Sequence, residues 1–206
     1  MPSITAYCSI KNYCITSNDK TVLVNGERHL DNFLVGAYET FRINYPKFYK
    51  MDNLSKAGLL ATELLLKDRV LKAEYQPEKI AVILSNASSS LDTDLKYAAS
   101  AKKIASPALF VYTLPNIVTG EICIRHGIKG ENGFFIFDKF DPGFMVEYVQ
   151  QVFSQGAEAC LAGWIEVLGE QHDVFLYLAE NQKRINALPH SALQVKELYE
   201  KNVWNN

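Results

Sequence analysis

SPALFVYTLPNIVTGEICIRHGIKGENGFFIFDKFDPGFMVEYVQQVFSQGAEACLAGWIE, Ser106 to Glu166, is the stretch whose reading decides the fold. Ser106-Pro107 opens a helix that runs to about His126, with Pro115 kinking or delaying it because proline removes a backbone donor. Gly127 to Gly130 ends that helix, and GFFIFDKF then has the length and aromatic content of a strand. Asp141-Pro142 supplies an N-cap followed by proline at the first helical position, which predicts a second helix from Pro142 to about Gln155. Phe144, Met145, Val146, Tyr148, Val149, Val152 and Phe153 cover most of its circumference, the pattern of a helix buried on several sides, and Gly156 closes it. AEACLAGWIEVL and HDVFLYLAE read as two strands around the turn Gly169-Glu170-Gln171.

Working outward, ITAYCSI and KTVLVNG read as two further strands bounded by Ser, Asn, Asp and Gly. A long connection rich in Tyr and Phe follows from Arg28 to Lys50. From Asp52, Leu54, Ala57, Ala61 and Leu64 or Leu65 recur at helical spacing, so a helix lasting to about Asp68 should lie on a sheet. EKIAVILS is an interior strand, and Ser85 to Ser90 ends it in a polar loop, read as a solvated connection. His190 to Lys201 gives a short terminal helix within a tail assigned to 183–206. No repeat or linker divides the chain, so 1–206 is taken as one domain.

The 206 residues are 48% hydrophobic and 21% charged, enough for one α/β domain with a real core. A formal net charge of −2 gives no electrostatic footprint for nucleic acid, and no apolar run approaches a membrane span. Cys8, Cys14, Cys123 and Cys160 lack paired metal-ligand spacing, which favours a reducing cytoplasm and no metal or other cofactor. Cys8 and Cys160 read as small core residues. Cys123 and His126, three apart on a helix, could face each other as a thiol–base pair, although two ligands do not make a zinc site. Gly127, Gly130 and Gly133 fit neither the Walker nor the dinucleotide spacing and read as a turn.

Ser106, Pro107, Thr113, Asn116, Gly120, Gly127 and Gly130 fall, without gaps, on the S-P-x-x-x-x-x-T-x-x-N-x-x-x-G and following glycine pattern of β-ketoacyl synthases. The segment therefore resembles the N-terminal half of that thiolase-superfamily family, and Lys139 stands where the acyl-carrying cysteine would be. The resemblance implies a thiolase-like half-fold: a mixed sheet of about five strands with helices on both faces and a buried central helix. In the family two such halves pack in five layers, and the cysteine sits at the N-terminus of the central helix, where the helix dipole favours thiolate. Two histidines of the second half then assist decarboxylation and condensation, and the sequence here matches the first half alone.

Lys139 is flanked by Asp138 and Asp141 and reads as an ion-paired structural lysine. The resemblance thus implies a non-catalytic protein that associates with itself or with a complete ketosynthase, in a fatty-acid, aryl-polyene or polyketide-type pathway. An acyl-carrier protein is a further candidate partner, and Thr113, Asn116, Phe144, Val152 and Phe153 are the candidate interface. One alternative is an acyltransferase or thioesterase acting on acyl-carrier thioesters, with His126 as base. Another is an acyl-chain or acyl-carrier-protein binding module in which Phe134, Phe135, Phe137 and Phe140 line an apolar tunnel.

Overall fold

The computed structural model describes residues 2–182, 184 and 187–201. It opens with an antiparallel meander of β1 (Ser3–Lys11), β2 (Cys14–Ser17) and β3 (Lys20–Val24). Next come α1 (Leu30–Thr40), a 3-10 turn at Pro46–Lys50, α2 (Asn53–Leu65), α3 (Leu71–Glu74) and β4 (Ile80–Asn86). After these lie α4 (Leu91–Ala101), α5 (Pro107–Val111), α6 (Ile117–His126), β5 (Asn132–Ile136) and α7 (Pro142–Ser154). The hairpin of β6 (Ala159–Leu168) and β7 (Gln171–Glu180) leads to β8 (Leu188–Pro189) and α8 (Ala192–Lys201). Residues 183, 185, 186 and 202–206 of the expected tail lie outside the described residues.

All strands join one mixed sheet in the order β3-β2-β1-β7-β6-β4-β5, with β8 on the end of β1. β4 runs parallel to both β5 and β6, while β7 is antiparallel to β6 and β1. The six strands read from the sequence are β1, β3, β4, β5, β6 and β7, against the about five that the resemblance implies. β2, which the reading placed in the turn between the first two, pairs with both β1 and β3.

Strand alternation divides the core in two, because successive side chains point to opposite faces. Val82 and Leu84 of β4, Leu161 and Ile165 of β6, and Leu176 and Leu178 of β7 face one core with α1, α2 and α6. Ile83, Cys160, Ala162, Trp164, Phe175 and Tyr177 face the other, under α7 and α8. In β1 the register shifts between Ile4 and Ala6, which places those two residues on opposite faces.

α1 occupies the segment read as a connection. Its Leu30, Phe33, Leu34, Ala37 and Tyr38 recur at helical spacing and are all buried. Burial all round belongs to α2, in which only Glu63 escapes full burial. A Cβ on Gly58 would lie 2.5 Å from Val118 and 2.7 Å from Ile165, so glycine lets α2 press against α6 and β6. The expected helix from Ser106 to His126 is two helices, α5 and α6. Tyr112 to Asn116, around Pro115, breaks it.

At the end of β7 the Glu180 carboxylate, fully buried, receives Arg69 at 2.9 and 3.1 Å, Arg184 at 2.7 Å, and Tyr75. Burial works against its charge, but the bonds from Arg69, Thr5 and Tyr75 outweigh it and hold the carboxyl down at about 2. Among the described residues no helix is long and apolar enough to cross a membrane.

Candidate functional site

β5 delivers the chain to the head of α7. The Phe137 N–H donates to Asn86 O, and Asp141 Oδ1 accepts from Phe144 N at 3.0 Å with Pro142 at the first helical position. The capping anticipated from Asp141-Pro142 is therefore present, and a carboxylate already takes the helix-terminal amide that would otherwise favour an anionic ligand.

Lys139 is exposed, two residues before that cap. It borders a cleft of about 630 Å³ between the head of α7 and α8, whose charged groups are Asp138, Lys139, Asp141, Lys196 and Glu200. Three carboxylates face two ammonium groups, and the lining includes no cysteine or histidine. The four histidines lie elsewhere: His29 beside Glu170, His126 beside Glu63, His172 against the Tyr13 N–H, and His190 beside Tyr177. A nucleophilic lysine needs a desolvated setting and a base to take its proton. Lys139 is solvated, and the three carboxylates around it favour its charged form.

α8 floors this cleft from the same chain. Tyr199 packs on Phe140 with ring centres 4.7 Å apart, its hydroxyl donates to Asp173, and Lys11 Nζ lies 3.7 Å above its ring. Lys11 also pairs with Asp173 at 3.0 Å, and burial lowers its pKa more than Asp173 raises it. Val195 and Leu198 are buried beside Val149 and Val152 in the second core. Part of the cover over α7 is therefore supplied by the chain's own C-terminal helix.

α7 is enclosed less completely than its composition predicts. Met145, Val146, Val149, Val152 and Phe153 are buried, but Glu147, Gln150, Gln151 and Ser154 face outward. Of the five candidate interface residues, Val152 and Phe153 are thus spent inside the chain's own core. Phe144 is half-buried, Thr113 is half-buried with its hydroxyl donating to Phe110 O, and Asn116 is exposed at the start of α6.

The four phenylalanines proposed for a tunnel are not brought together. Phe134 packs against the first core, whereas Phe135 and Phe137 point to the opposite face of β5, as period-two alternation requires. Phe135 and Phe137 meet Phe144 and Tyr148 in a half-exposed aromatic cluster with ring centres 4.8 to 6.2 Å apart. Phe140 is buried separately among Trp164, Phe175 and Tyr199.

His126 belongs to a different place, the C-terminal end of α6. Its Nε2 is buried, 3.4 Å from Glu63 Oε1 and without a hydrogen bond, and burial lowers its pKa. Burial also pushes the Cys123 thiol up to about 11. Among the described residues no hydrogen bond joins Cys123 to His126, and no three His, Cys, Asp or Glu side chains gather as a metal site. Burial likewise pushes the Cys8 thiol up to about 12 and raises that of Cys160, in keeping with core positions.

What the sequence reading missed is the character of residues 91–114. α4 buries Asp92 and Thr93 while Leu91 and Leu95 face out; beyond it Ile104, Phe110, Val111 and Leu114 are exposed, Ile104 to 85% and Phe110 to 60%. An apolar residue beside a buried acid at the start of a helix is the signal that would have found this inverted pattern.

No protein-family model matches the sequence, and no curated protein does. Solved structures do. The ishigamide ketosynthase/chain length factor aligns over 91% of this chain with a TM-score of 0.65 at 17% identity. A chain of the complex of the ketosynthase ApeO with its chain length factor ApeC, from Xenorhabdus doucetiae, aligns over 97% at TM-score 0.58 and 12% identity. The complex of AntDE with AntF, a type II polyketide synthase acyl-carrier protein with its ketosynthase bound to the hexaketide, aligns over 88% at TM-score 0.56 and 17% identity. This chain spans 64%, 90% and 62% of those three chains, respectively. The fold is the thiolase-like fold of ketosynthase and chain length factor proteins.

Proposed function

We propose that this chain is a non-catalytic, ketosynthase-like subunit that works by pairing with a complete ketosynthase, in a polyketide- or aryl-polyene-type pathway served by an acyl-carrier protein. The observation that carries the reading is the head of α7. Where the resemblance to β-ketoacyl synthases places a cysteine, this chain has an exposed lysine, a carboxylate on the helix amide, and no cysteine or histidine in the cleft. Two further points support it. Six large apolar side chains stand exposed between Leu91 and Leu114, a concentration that marks an association surface. The matched structures include complexes of a ketosynthase with a chain length factor, and in one of these complexes the matched chain is spanned to 90% of its length.

The test is co-expression with a complete ketosynthase from the same genome, followed by measurement of mass in solution and of condensation on acyl-carrier thioesters. A heterodimer that condenses, with no turnover by this chain alone, is the expected result. Turnover by the isolated chain, or a ketosynthase indifferent to its presence, would refute the proposal.

A further inference from the structure

A second cavity, of about 380 Å³, opens where the C-terminal ends of α2 and α6 meet the turn after α1 and the segment 66–72. Its lining carries five permanent cations, Arg42, Lys67, Arg69, Lys72 and Arg125, against the single carboxylate of Glu63. Two of the five are engaged. Arg69 is bound by Glu74 and Glu180, and Arg125 grips Glu63 through Nε at 2.6 Å and Nη2 at 3.3 Å. Arg42, Lys67 and Lys72 have no carboxylate partner among the described residues. The C-terminal ends of α1, α2 and α6 contribute about half a negative charge each, which offsets about half of the charge on these three cations and leaves the other half uncompensated.

Two independent features point the same way. Arg42 follows the end of α1 with φ at 53°, the left-handed position that helices usually give to glycine, so the chain keeps a long cation where a side chain is disfavoured. His126 presents a buried Nε2 with no hydrogen bond, a polar atom that native interiors seldom leave unpaired. Around it stand Glu63 from α2, Lys72 from α3 and Arg125 from its own helix.

We infer that this cavity binds a phosphate-bearing small molecule, with Arg42, Lys67 and Lys72 surrounding the phosphate and the His126 ring meeting one of its oxygens. Three cations lining one cavity, Arg42 from the turn after α1 and Lys67 and Lys72 from the segment 66–72, suit a multiply charged group with several acceptor oxygens, whereas one arginine fork would satisfy a carboxylate. The volume falls in the range of small-ligand sites, and Phe41 and Leu71 give an apolar wall for the rest of the molecule. The inference does not depend on the pairing proposed above.

Calorimetry of the full chain with inorganic pyrophosphate and with glycerol 3-phosphate, with citrate as a charge-matched control, tests it. Saturable binding of the phosphates in preference to citrate is expected, with ring resonances of His126 shifting while those of His29, His172 and His190 stay. The exposed pair Arg42→Glu with Lys67→Glu should weaken binding by about ten-fold or more, at unchanged Tm, while Lys102→Glu with Lys103→Glu leaves it intact. Absence of saturable binding, equal binding by the Arg42/Lys67 variant, equal binding of citrate, or shifts centred on another histidine would each overturn it.

Discussion

α2 and the α4–α5 segment are made of similar helix formers and end up as opposites. α2 carries Leu59, Leu60 and Ala61 into the core at zero exposure, and even its polar Ser55, Lys56 and Thr62 are buried. α4 and α5 turn Leu91, Leu95, Phe110 and Val111 to solvent and bury Asp92 and Thr93. The two meet across a polar seam. Asp52 caps α2 through Ser55 N at 2.9 Å and accepts from Thr93 Oγ1 of α4 at 2.8 Å, while Asp92 accepts from Gly169 N at 2.9 Å. The contrast teaches that α2 builds the fold by apolar burial, whereas α4 is tied to it by hydrogen bonds and the apolar groups of α4–α5 face solvent.

The contrast breaks hardest in α2. Leu60→Ala should cost about 2 to 5 kcal/mol, or at least about 4 °C in Tm, since the site is walled on all sides and can collapse only in part. Denaturant unfolding reads this directly. A loss below about 1 kcal/mol would mean that α2 is less enclosed than described.

In α4–α5 the same kind of test should separate stability from association. Phe110→Asp alters an exposed ring whose aromatic contact is with Tyr97, so the isolated chain should unfold within about 0.5 kcal/mol of wild type. Affinity for a ketosynthase partner should fall by about 2 kcal/mol or more, near thirty-fold, if the patch is the centre of the interface. Titration by analytical ultracentrifugation checks it, and unchanged affinity would move the interface away from this segment.

The seam gives a smaller, pH-dependent effect. Asp52→Ala should cost about 1 kcal/mol through loss of the cap. Asp52→Asn is more informative. Burial raises the Asp52 pKa above 3.8 despite the bonds from Ser55 and Thr93. A carboxyl with a raised folded pKa stabilises the fold below its unfolded value and withdraws that contribution as pH climbs through the folded value. The Asn variant should therefore match wild type most closely near pH 3 and gain on it as pH rises beyond about 4. A pH-independent difference in Tm would show that the carboxyl is solvated.

Much of this was legible in the chain. The Asp141-Pro142 cap, the β6–β7 hairpin and the Asp52 start of α2 all follow from local chemistry, namely capping oxygens, turn glycine and period. α1 was equally legible, because Leu30, Phe33, Leu34, Ala37 and Tyr38 lie on one helical face. Its aromatic content suggested a loop only because the period was not followed. The cavity beside His126 was not legible. It gathers Arg42, Lys67, Lys72 and Arg125 from three segments far apart in the chain, and no local pattern encodes a meeting of that range. The enclosure of α7 was overread for a related reason: Phe144 and Tyr148 are apolar, but they stack on Phe135 and Phe137 at the surface and not under a second layer.

Lys139 should give the smallest effect of all. It is exposed, two residues outside α7, so Lys139→Ala should leave Tm and partner affinity within measurement error, a change of about 0.5 kcal/mol at most. Lys139→Cys makes the sharper experiment, because it puts sulfur at the position where the resemblance to β-ketoacyl synthases places the acyl-carrying cysteine. A thiolate is favoured there by free helix amides and a neighbouring cation. Here Asp141 already occupies the amide of Phe144, and Asp138 and Glu200 add negative charge to the same cleft. The introduced thiol should consequently alkylate with an apparent pKa at or above about 8.5, followed at that site by peptide mass against the four native cysteines. A pKa well below that value would mean that the head of α7 still favours an anion, and that the side chain at position 139, not the carboxylates around it, is what sets this site apart from a thiolate site.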